Sequence, residues 1–311
     1  AGLGACVAAA LDVRDRLETD PNGDEAGRSE LDGRIVVESV VGEEEGGVGA
    51  AAAALSNPYP FERDAAVVAE PTRLRPVVAT EGSLMVRLRL GGRSAHAATP
   101  WAGESVLPHF ERIRAALAEF EAERSREITH PLYGEFPVPW PVVVGRVSAG
   151  SWASTVPASL VAELRVGVAP GETVDDVENA LRRLLDRVAA EDPWTETHPP
   201  ELERFSVQFE PSEVDPGEPI VRAIQAGIDA AGLPWEHRVP RGATYGADAR
   251  HYLEAGVPTV LFGPGDVRQA HFPDESVAWT DVEAAREAIG AAAERFLRAG
   301  RNGRGPTPDG T

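Results

Sequence analysis

The sequence predicts an α/β domain interrupted by an α+β insertion. Three observations predict it. A nearly unbroken β-branched run, Ile35-Val36-Val37-Glu38-Ser39-Val40-Val41, ends abruptly in Gly42-Glu43-Glu44-Glu45-Gly46-Gly47. Such a run reads as a strand buried on both faces, and the glycines permit a sharp turn after it. The middle of the chain reads β-α-β-β-α-β with one solvated strand face, the pattern of an antiparallel sheet covered by two helices. Buried-strand and helix patterns of the first type then return over Ile220–Ala299.

In order, Gly2–Leu17 predicts a helix whose apolar face is Leu3, Val7, Ala10, Leu11 and Val13. Glu18–Gly33 is an acidic loop, and the Ile35–Val41 strand follows it. Gly49–Leu55 is a short Ala-rich helix. Ala65–Ala69 is a second short strand, ending in Glu70-Pro71-Thr72. Leu84–Leu90 alternates apolar residues with Arg87 and Arg89, which marks a strand with one wet face. Glu104–Arg126 is an amphipathic helix, Val142–Val147 and Leu160–Val168 are strands, Glu172–Ala190 is a helix and Phe205–Phe209 a strand. Ile220–Ala231 and Ala247–Ala255 are helices, Val257–Phe262 a buried strand and Val282–Ala299 a closing helix. The domain boundaries follow: 1–81 and 213–299 form the α/β domain, 82–212 the insertion, and 300–311 a Gly/Pro-rich disordered tail.

The 311 residues carry 50 acidic and 30 basic side chains, a net charge of -20, and contain no lysine. That balance disfavours nucleic acid and anionic membranes, which need positive patches. It suits a soluble protein of a salt-rich cytoplasm, where screening reduces self-repulsion. Cys6 is the single cysteine, so no internal disulfide forms; it reads as a small buried apolar residue. No apolar run approaches the roughly 20 residues of a membrane span, and the start lacks the basic segment of a signal peptide. The chain begins at Ala1 rather than Met, which marks a processed product or a piece of a longer one.

Carboxylates and histidines fall at the ends of the apolar runs: Glu43 and Glu44, Glu70, and His271 just past Val257–Phe262. His plus carboxylates without Cys is the ligand set of a hydrolytic metal site. Such a site also needs a carboxylate that moves the proton of the attacking water. Adjacent Glu43 and Glu44 can divide those roles, because neighbouring side chains on extended backbone point opposite ways. The other reading of the triple carboxylate is a solvated acidic loop.

The joint order of motifs then resembles a known family. The stretches are Gly42-Glu43-Glu44-Glu45-Gly46-Gly47, Glu70-Pro71-Thr72, Gly92-Arg93-Ser94-Ala95-His96 with Pro100, Ser154-Thr155-Val156-Pro157 leading to Arg165, Gly246-Ala247-Asp248-Ala249-Arg250, and Gly263-Pro264-Gly265 with His271 and Pro273-Asp274-Glu275. They resemble the co-catalytic di-zinc amidohydrolases and exopeptidases that include acetylornithine deacetylase, succinyl-diaminopimelate desuccinylase, aminoacylase and glutamate carboxypeptidase. The resemblance covers essentially the whole chain. It implies a zinc-exopeptidase-like catalytic domain with an inserted lid that also dimerises.

By that resemblance Glu43 is the general base. Glu44 and His271 bind one metal and Glu70 the second, the metals being Zn2+ or Co2+. His96, reaching a partner subunit's site, stabilises the oxyanion, and Arg165 holds a substrate carboxylate. Asp248 and Arg250 shape the site. The reaction implied is hydrolysis of an amide bond in an N-acyl amino acid or short peptide. His109, His130, His198, His237 and His251 fit no motif and read as structural or exposed.

Three departures stand out. Gly42 replaces the usual Asp, and Glu81 stands where desuccinylase-like members carry a basic residue. The family's His-x-Asp motif and the Asp that bridges the metals belong ahead of Ala1 and are not in this sequence. The expectation is therefore an incomplete metal centre, weak metal binding and little activity for this chain. The alternative from another class is an inactive fragment or pseudoenzyme that retains the dimerising lid.

Overall fold

A computed structural model describes residues 1–19 and 33–300. The acidic loop read over Glu18–Gly33 lies almost entirely outside the described residues, as does the tail beyond 300. In chain order the elements are α1 (Gly2–Thr19), α2 (Val48–Ser56), β1 (Ala66–Val68), β2 (Val77–Thr80), β3 (Gly82–Gly91), α3 (Val106–Glu127), β4 (Val142–Ala149) and β5 (Ser159–Val168). They continue with α4 (Val174–Ala190), α5 (Pro193–Thr197), β6 (Glu201–Arg204), β7 (Ser212–Glu213), α6 (Pro219–Ala230), β8 (Arg241–Ala243), α7 (Ala249–Glu254), β9 (Thr259–Leu261) and α8 (Trp279–Gly300). The chain divides into two compact units: Thr80–Ser212 with Ala243–Gly246, and the remainder.

The Thr80–Ser212 unit is built on an antiparallel sheet of order β4-β5-β3-β6. β3 and β5 pair along their full length, from Gly82 opposite Val168 to Gly91 opposite Ser159. The alternation of β3 puts Leu84, Val86, Leu88 and Leu90 on one face. There they meet Leu160, Leu164 and Val166 of β5, Phe110, Ile113 and Leu117 of α3, and Leu181, Leu184 and Leu185 of α4. The wet face carries Arg87, which pairs with Glu163 at 2.8 Å, and Arg89, which pairs with Glu203 at 2.8 Å. Both long helices start on side-chain caps: Ser105 accepts from Leu107 N, and Thr173 and Asp176 form a reciprocal capping box.

The strand expected at Phe205–Phe209 is displaced. The strand is Glu201–Arg204, Ser206 turns into the left-handed region at φ 58°, and Phe209 keeps only an isolated bridge to Ser83. A single positive φ is enough to end the ladder.

In the other unit β1 runs parallel to β9 (Ala66 opposite Thr259, Val68 opposite Leu261), and β2 is antiparallel on the far side of β9. Val214 N donates to Val78 O at 2.8 Å and Arg241 N to Pro76 O at 3.0 Å, so β7 and β8 extend this sheet. β2 was not expected from the sequence, though all four of its residues are buried. Helices α6 and α8 cross closely: a Cβ on Gly227 would lie 2.1 Å from Ala288 O, so only glycine fits there.

Two expectations are corrected here. Ile35–Val41 is not a buried strand: Ile35, Val36 and Val37 are 39, 41 and 36% exposed, and none of them pairs with a strand among the described residues. β-branching favours a strand only where a neighbouring strand supplies hydrogen bonds. This segment is pinned by a side chain instead, Glu38, which takes Arg63 Nη2 at 2.6 Å and Tyr252 OH at 2.5 Å. The buried face of α1 shares Val13 with the expected one but is otherwise Ala5 and Ala9, while Leu3, Val7 and Leu11 are 49, 42 and 44% exposed. Small side chains let α1 lie against α8, where Asp12 pairs with Arg286 and Arg16 with Glu294. The larger apolar residues form a separate stripe four residues apart.

Candidate active site

Glu43–Glu45 forms a single 3-10 turn rather than the extended end of a strand. Left-handed glycines flank it, Gly42 at φ 76° and Gly46 at 101°, with Gly47 at 69° beyond. Glu43 is half-buried and Glu44 exposed on a tight turn, not on extended backbone with strand alternation. Gly47 is required twice, because a Cβ there would lie 2.0 Å from Asp248 Oδ1 and 2.9 Å from His251 Nε2. The turn is thus seated on the start of α7. Arg250 Nη2 donates to Gly46 O at 2.7 Å, and His251 Nε2 lies 3.1 Å from the same carbonyl. His251, read from sequence as structural or exposed, takes part in this seat; it lies three residues past Asp248, where no recognisable spacing marks it.

Asp248 is 4% exposed, and its Oδ1 has no hydrogen-bond partner among the described residues. Burial pushes its carboxyl upward, against the pull of His251 and Arg250. Glu43 is raised too, by burial first and then by Asp248 and Glu44, with Arg250 and His271 opposing.

Glu70 follows β1. The loop that carries it is locked to the loop after β9: Gly263 N donates to Thr72 Oγ1 at 3.1 Å, and Arg73 N to Gly265 O at 2.8 Å. A Cβ on Gly263 would come within 2.6 Å of Glu70 O, which explains the glycine. Burial, then Glu43, Asp248 and Glu44, push Glu70 up to about 7. His271 lies farther along the loop after β9, at φ 66°, with its N donating to Glu275 Oε2 at 3.2 Å. Its Nε2 is 3.3 Å from Glu44 Oε1, both side chains being exposed.

One unit thus contributes Glu43 and Glu44 from the 3-10 turn, Glu70 from the loop after β1, Asp248 and Arg250 from the start of α7, and His271 from the loop after β9. Its carboxylates face one another, and such repulsion is relieved by protons or by a cation. Yet among the described residues no three His, Cys, Asp or Glu side chains converge as a metal-holding group. A catalytic zinc takes three protein ligands. The donor chemistry suits a divalent cation, but the donors here do not complete its coordination sphere.

His96 and Arg165 belong to the other unit. His96 forms an isolated bridge with Thr155, and Ala97 N donates to Ser154 O at 3.0 Å. The Gly92–His96 and Ser154–Pro157 motifs therefore lie side by side. His96 Nδ1 accepts from Ala98 N at 3.0 Å, so the neutral ring carries its proton on Nε2, on an exposed side chain. Arg165 projects from β5, and its Nη2 donates to Glu81 Oε2 at 3.2 Å and to Thr244 O at 3.3 Å. Glu81 is fully buried. The signal for it was a carboxylate inside the run Val77–Leu84.

The sequence profile described as Peptidase family M20/M25/M40 matches residues 25–295. An acetylornithine deacetylase of Proteus mirabilis is 26% identical over 248 residues, covering 76% of this chain and 57% of the relative. A probable carboxypeptidase of Aspergillus flavus is 30% identical over 304 residues, covering 94% and 63%. The chain therefore spans about three-fifths of the length of these relatives, 57% and 63%. Among solved structures, an M20 family metallo-carboxypeptidase of Sulfolobus solfataricus superposes with TM-score 0.62 at 16% identity, covering 94% of this chain and 75% of that one. The aminopeptidase PepT of Bacillus cereus gives TM-score 0.61 at 19% identity, covering 83% and 63%. These two likenesses speak to the fold.

Proposed function

The chain belongs to the M20/M25/M40 peptidase family, and from that premise we propose that it is the amide-hydrolysing part of a metallohydrolase acting on N-acyl amino acids or short peptides. The observation that carries the proposal is the grouping of Glu43 with Glu70, Asp248 and Glu44, whose mutual repulsion and burial hold Glu43 and Glu70 above the usual carboxylate range. Glu43 stands on the glycine-flanked turn beside these donors, half-buried, where a carboxylate can move the proton of a water held among them. Glu43 takes the proton of the attacking water and returns it to the leaving amine. Glu44, His271 and Glu70 are this chain's donors to zinc or cobalt, which when bound supplies Lewis-acid activation. Asp248 and Arg250 brace the turn that carries Glu43. Arg165 receives the substrate carboxylate through its guanidinium. His96 donates from Nε2 to the developing oxyanion, in the site of a second copy of the chain. The copies associate through the inserted unit, and the protein works in the cytoplasm. No helix among the described residues is long and apolar enough to cross a membrane.

The test is hydrolysis of a panel of N-acyl amino acids with added zinc or cobalt. Glu43→Gln is expected to lower kcat by about 10²–10⁴-fold; equal rates for the two proteins would sink the assignment. A second reading, a chain without turnover of its own, is favoured by the lack of three converging ligand side chains among the described residues. It predicts no hydrolysis by the wild type at any metal concentration.

A further inference from the structure

Glu81 is the most deeply buried carboxylate in its unit, with 0% exposure. It sits where β2 gives way to β3, and its N donates to Ala243 O at 2.9 Å. One oxygen, Oε2, accepts from Arg165. The other, Oε1, is buried and has no hydrogen-bond partner among the described residues. Oε1 lies over the bare Cα of Gly167, where a Cβ would come within 1.7 Å of it. Gly167 is thus a slot cut in β5 to admit this carboxyl group, two residues beyond the arginine that it holds.

Arg165 is only partly covered, its side chain 29% exposed. Both of its hydrogen bonds leave from Nη2, so Nη1 and Nε have no partner among the described residues. One face of the guanidinium is anchored and the rest is available to an anion. Other charge near Glu81 is sparse. Arg124 of α3 is itself paired with Glu172, and Tyr133 OH is spent on Ala243 O. One cation therefore stands between a buried carboxyl group and any carboxylate that arrives from solvent. Two ionised carboxylates on one guanidinium leave a net negative charge in a poorly solvated place.

We propose that Glu81 is a positioning residue for Arg165 that is neutral while a substrate carboxylate is bound, so that anion binding is coupled to proton uptake at Glu81. The inference rests on the reading of Arg165 as the carboxylate receptor. Burial raises Glu81 to about 8, against the pull of Arg165 and Arg124. An arriving anion raises it further, because it adds negative charge beside the same guanidinium. Binding then takes up protons on the alkaline side, up to about one per anion, and affinity falls by up to about tenfold per pH unit above the free-state midpoint. A neutral ligand shows neither effect.

The experiment is titration calorimetry of the whole chain with N-acetylglycine and with N-acetylglycinamide, at several pH values around about 8 and in buffers of different ionisation enthalpy, which count the protons. The expected result is proton uptake with the carboxylate ligand alone. Glu81→Gln abolishes the uptake and flattens the pH dependence, while Arg165→Gln removes the preference for the carboxylate. Where Glu81→Gln loses cooperative unfolding, Glu81→Leu takes its place, since an apolar replacement of a buried charge is often tolerated. Uptake that is absent in the wild type, or unchanged in the Glu81 variants, overturns the inference while leaving Arg165 as receptor. If the chain does not distinguish the two ligands, or if Arg165→Gln still does, the receptor reading falls and the inference falls with it.

Discussion

The two units treat charge and apolar surface in opposite ways. In the Thr80–Ser212 unit the apolar side chains of β3 and β5 meet those of α3 and α4, and the charges on the wet face are paired. Its one fully buried carboxylate faces an arginine. In the other unit carboxylates face carboxylates around Glu70, and two apolar stretches, Leu3–Leu11 and Ile35–Val41, show large side chains at the surface. Glu81 and Glu70 are both raised, with burial as the first cause of each, although an arginine pulls Glu81 down while neighbouring carboxylates push Glu70 up. Burial outweighs the sign of the neighbours. A unit that satisfies itself is held by packing, whereas one that crowds like charges is poised to take up something positive.

The comparison can be broken most severely in the self-satisfied unit. Leu164→Ala opens a cavity at a site 2% exposed and should cost about 2–5 kcal/mol in urea unfolding; a cost near zero would mean that the packing there is illusory. Next in size is the response of the carboxylate cluster to metal. Zinc at a hundredfold excess over its Kd should add about 2.7 kcal/mol, and Glu70→Gln should remove most of that gain. Because the described residues bring no three ligands together, the metal should wash out on dialysis. Elemental analysis that returns two zinc ions per chain overturns this point.

The third effect is a pH dependence. Glu81 is raised to about 8 in the folded chain, so the folded state holds a proton that the unfolded state has released above about 4.5. Stability therefore falls as pH climbs from there to about 8. Glu81→Gln should flatten that slope in a series of unfolding curves. The smallest effect belongs to the exposed stripe: Leu11→Ser, at a site 44% exposed, should change stability by no more than about 0.5 kcal/mol.

Much of the inserted unit could be read in advance. The alternation of Leu84–Leu90 is a property of the strand itself, so its register on a half-buried sheet showed in the residues. Strand Val77–Thr80 is four residues long between Pro76 and the Glu81-Gly82 step, too short to establish a period. The Ile35–Val41 run misled because pairing depends on a neighbour, not on β-branching. The face of α1 is not legible from side-chain size, because close approach to α8 selects Ala5 and Ala9 beside Val13 over the larger Leu3, Val7 and Leu11. Glu43, Glu44 and Glu70 could be found from their places after apolar runs, whereas Asp248 follows no such run and came only with the family resemblance. His251 could not, because it acts through a carbonyl of the glycine turn, and turns leave no period. Glu81 reads from the sequence only as an acidic residue where desuccinylase-like members carry a basic one; its partner lies 84 residues away, a separation that no local pattern spans. His109, which fits no motif, is structural: it is buried between Glu104 and Arg112.

The inserted unit leaves the chain almost where it enters. Thr80 Oγ1 lies 2.7 Å from Ser212 Oγ. A hydroxyl pair of this kind fastens the two ends of a long excursion. To the host, the excursion is a loop whose closure is already accomplished, and its length then costs little. Evolution can lengthen, exchange or delete such an excursion without reopening the sheet that carries it, because termini held together make insertion tolerable. Calorimetry of the whole chain should then resolve two melting events rather than one, with the stapled excursion surviving changes that melt its host.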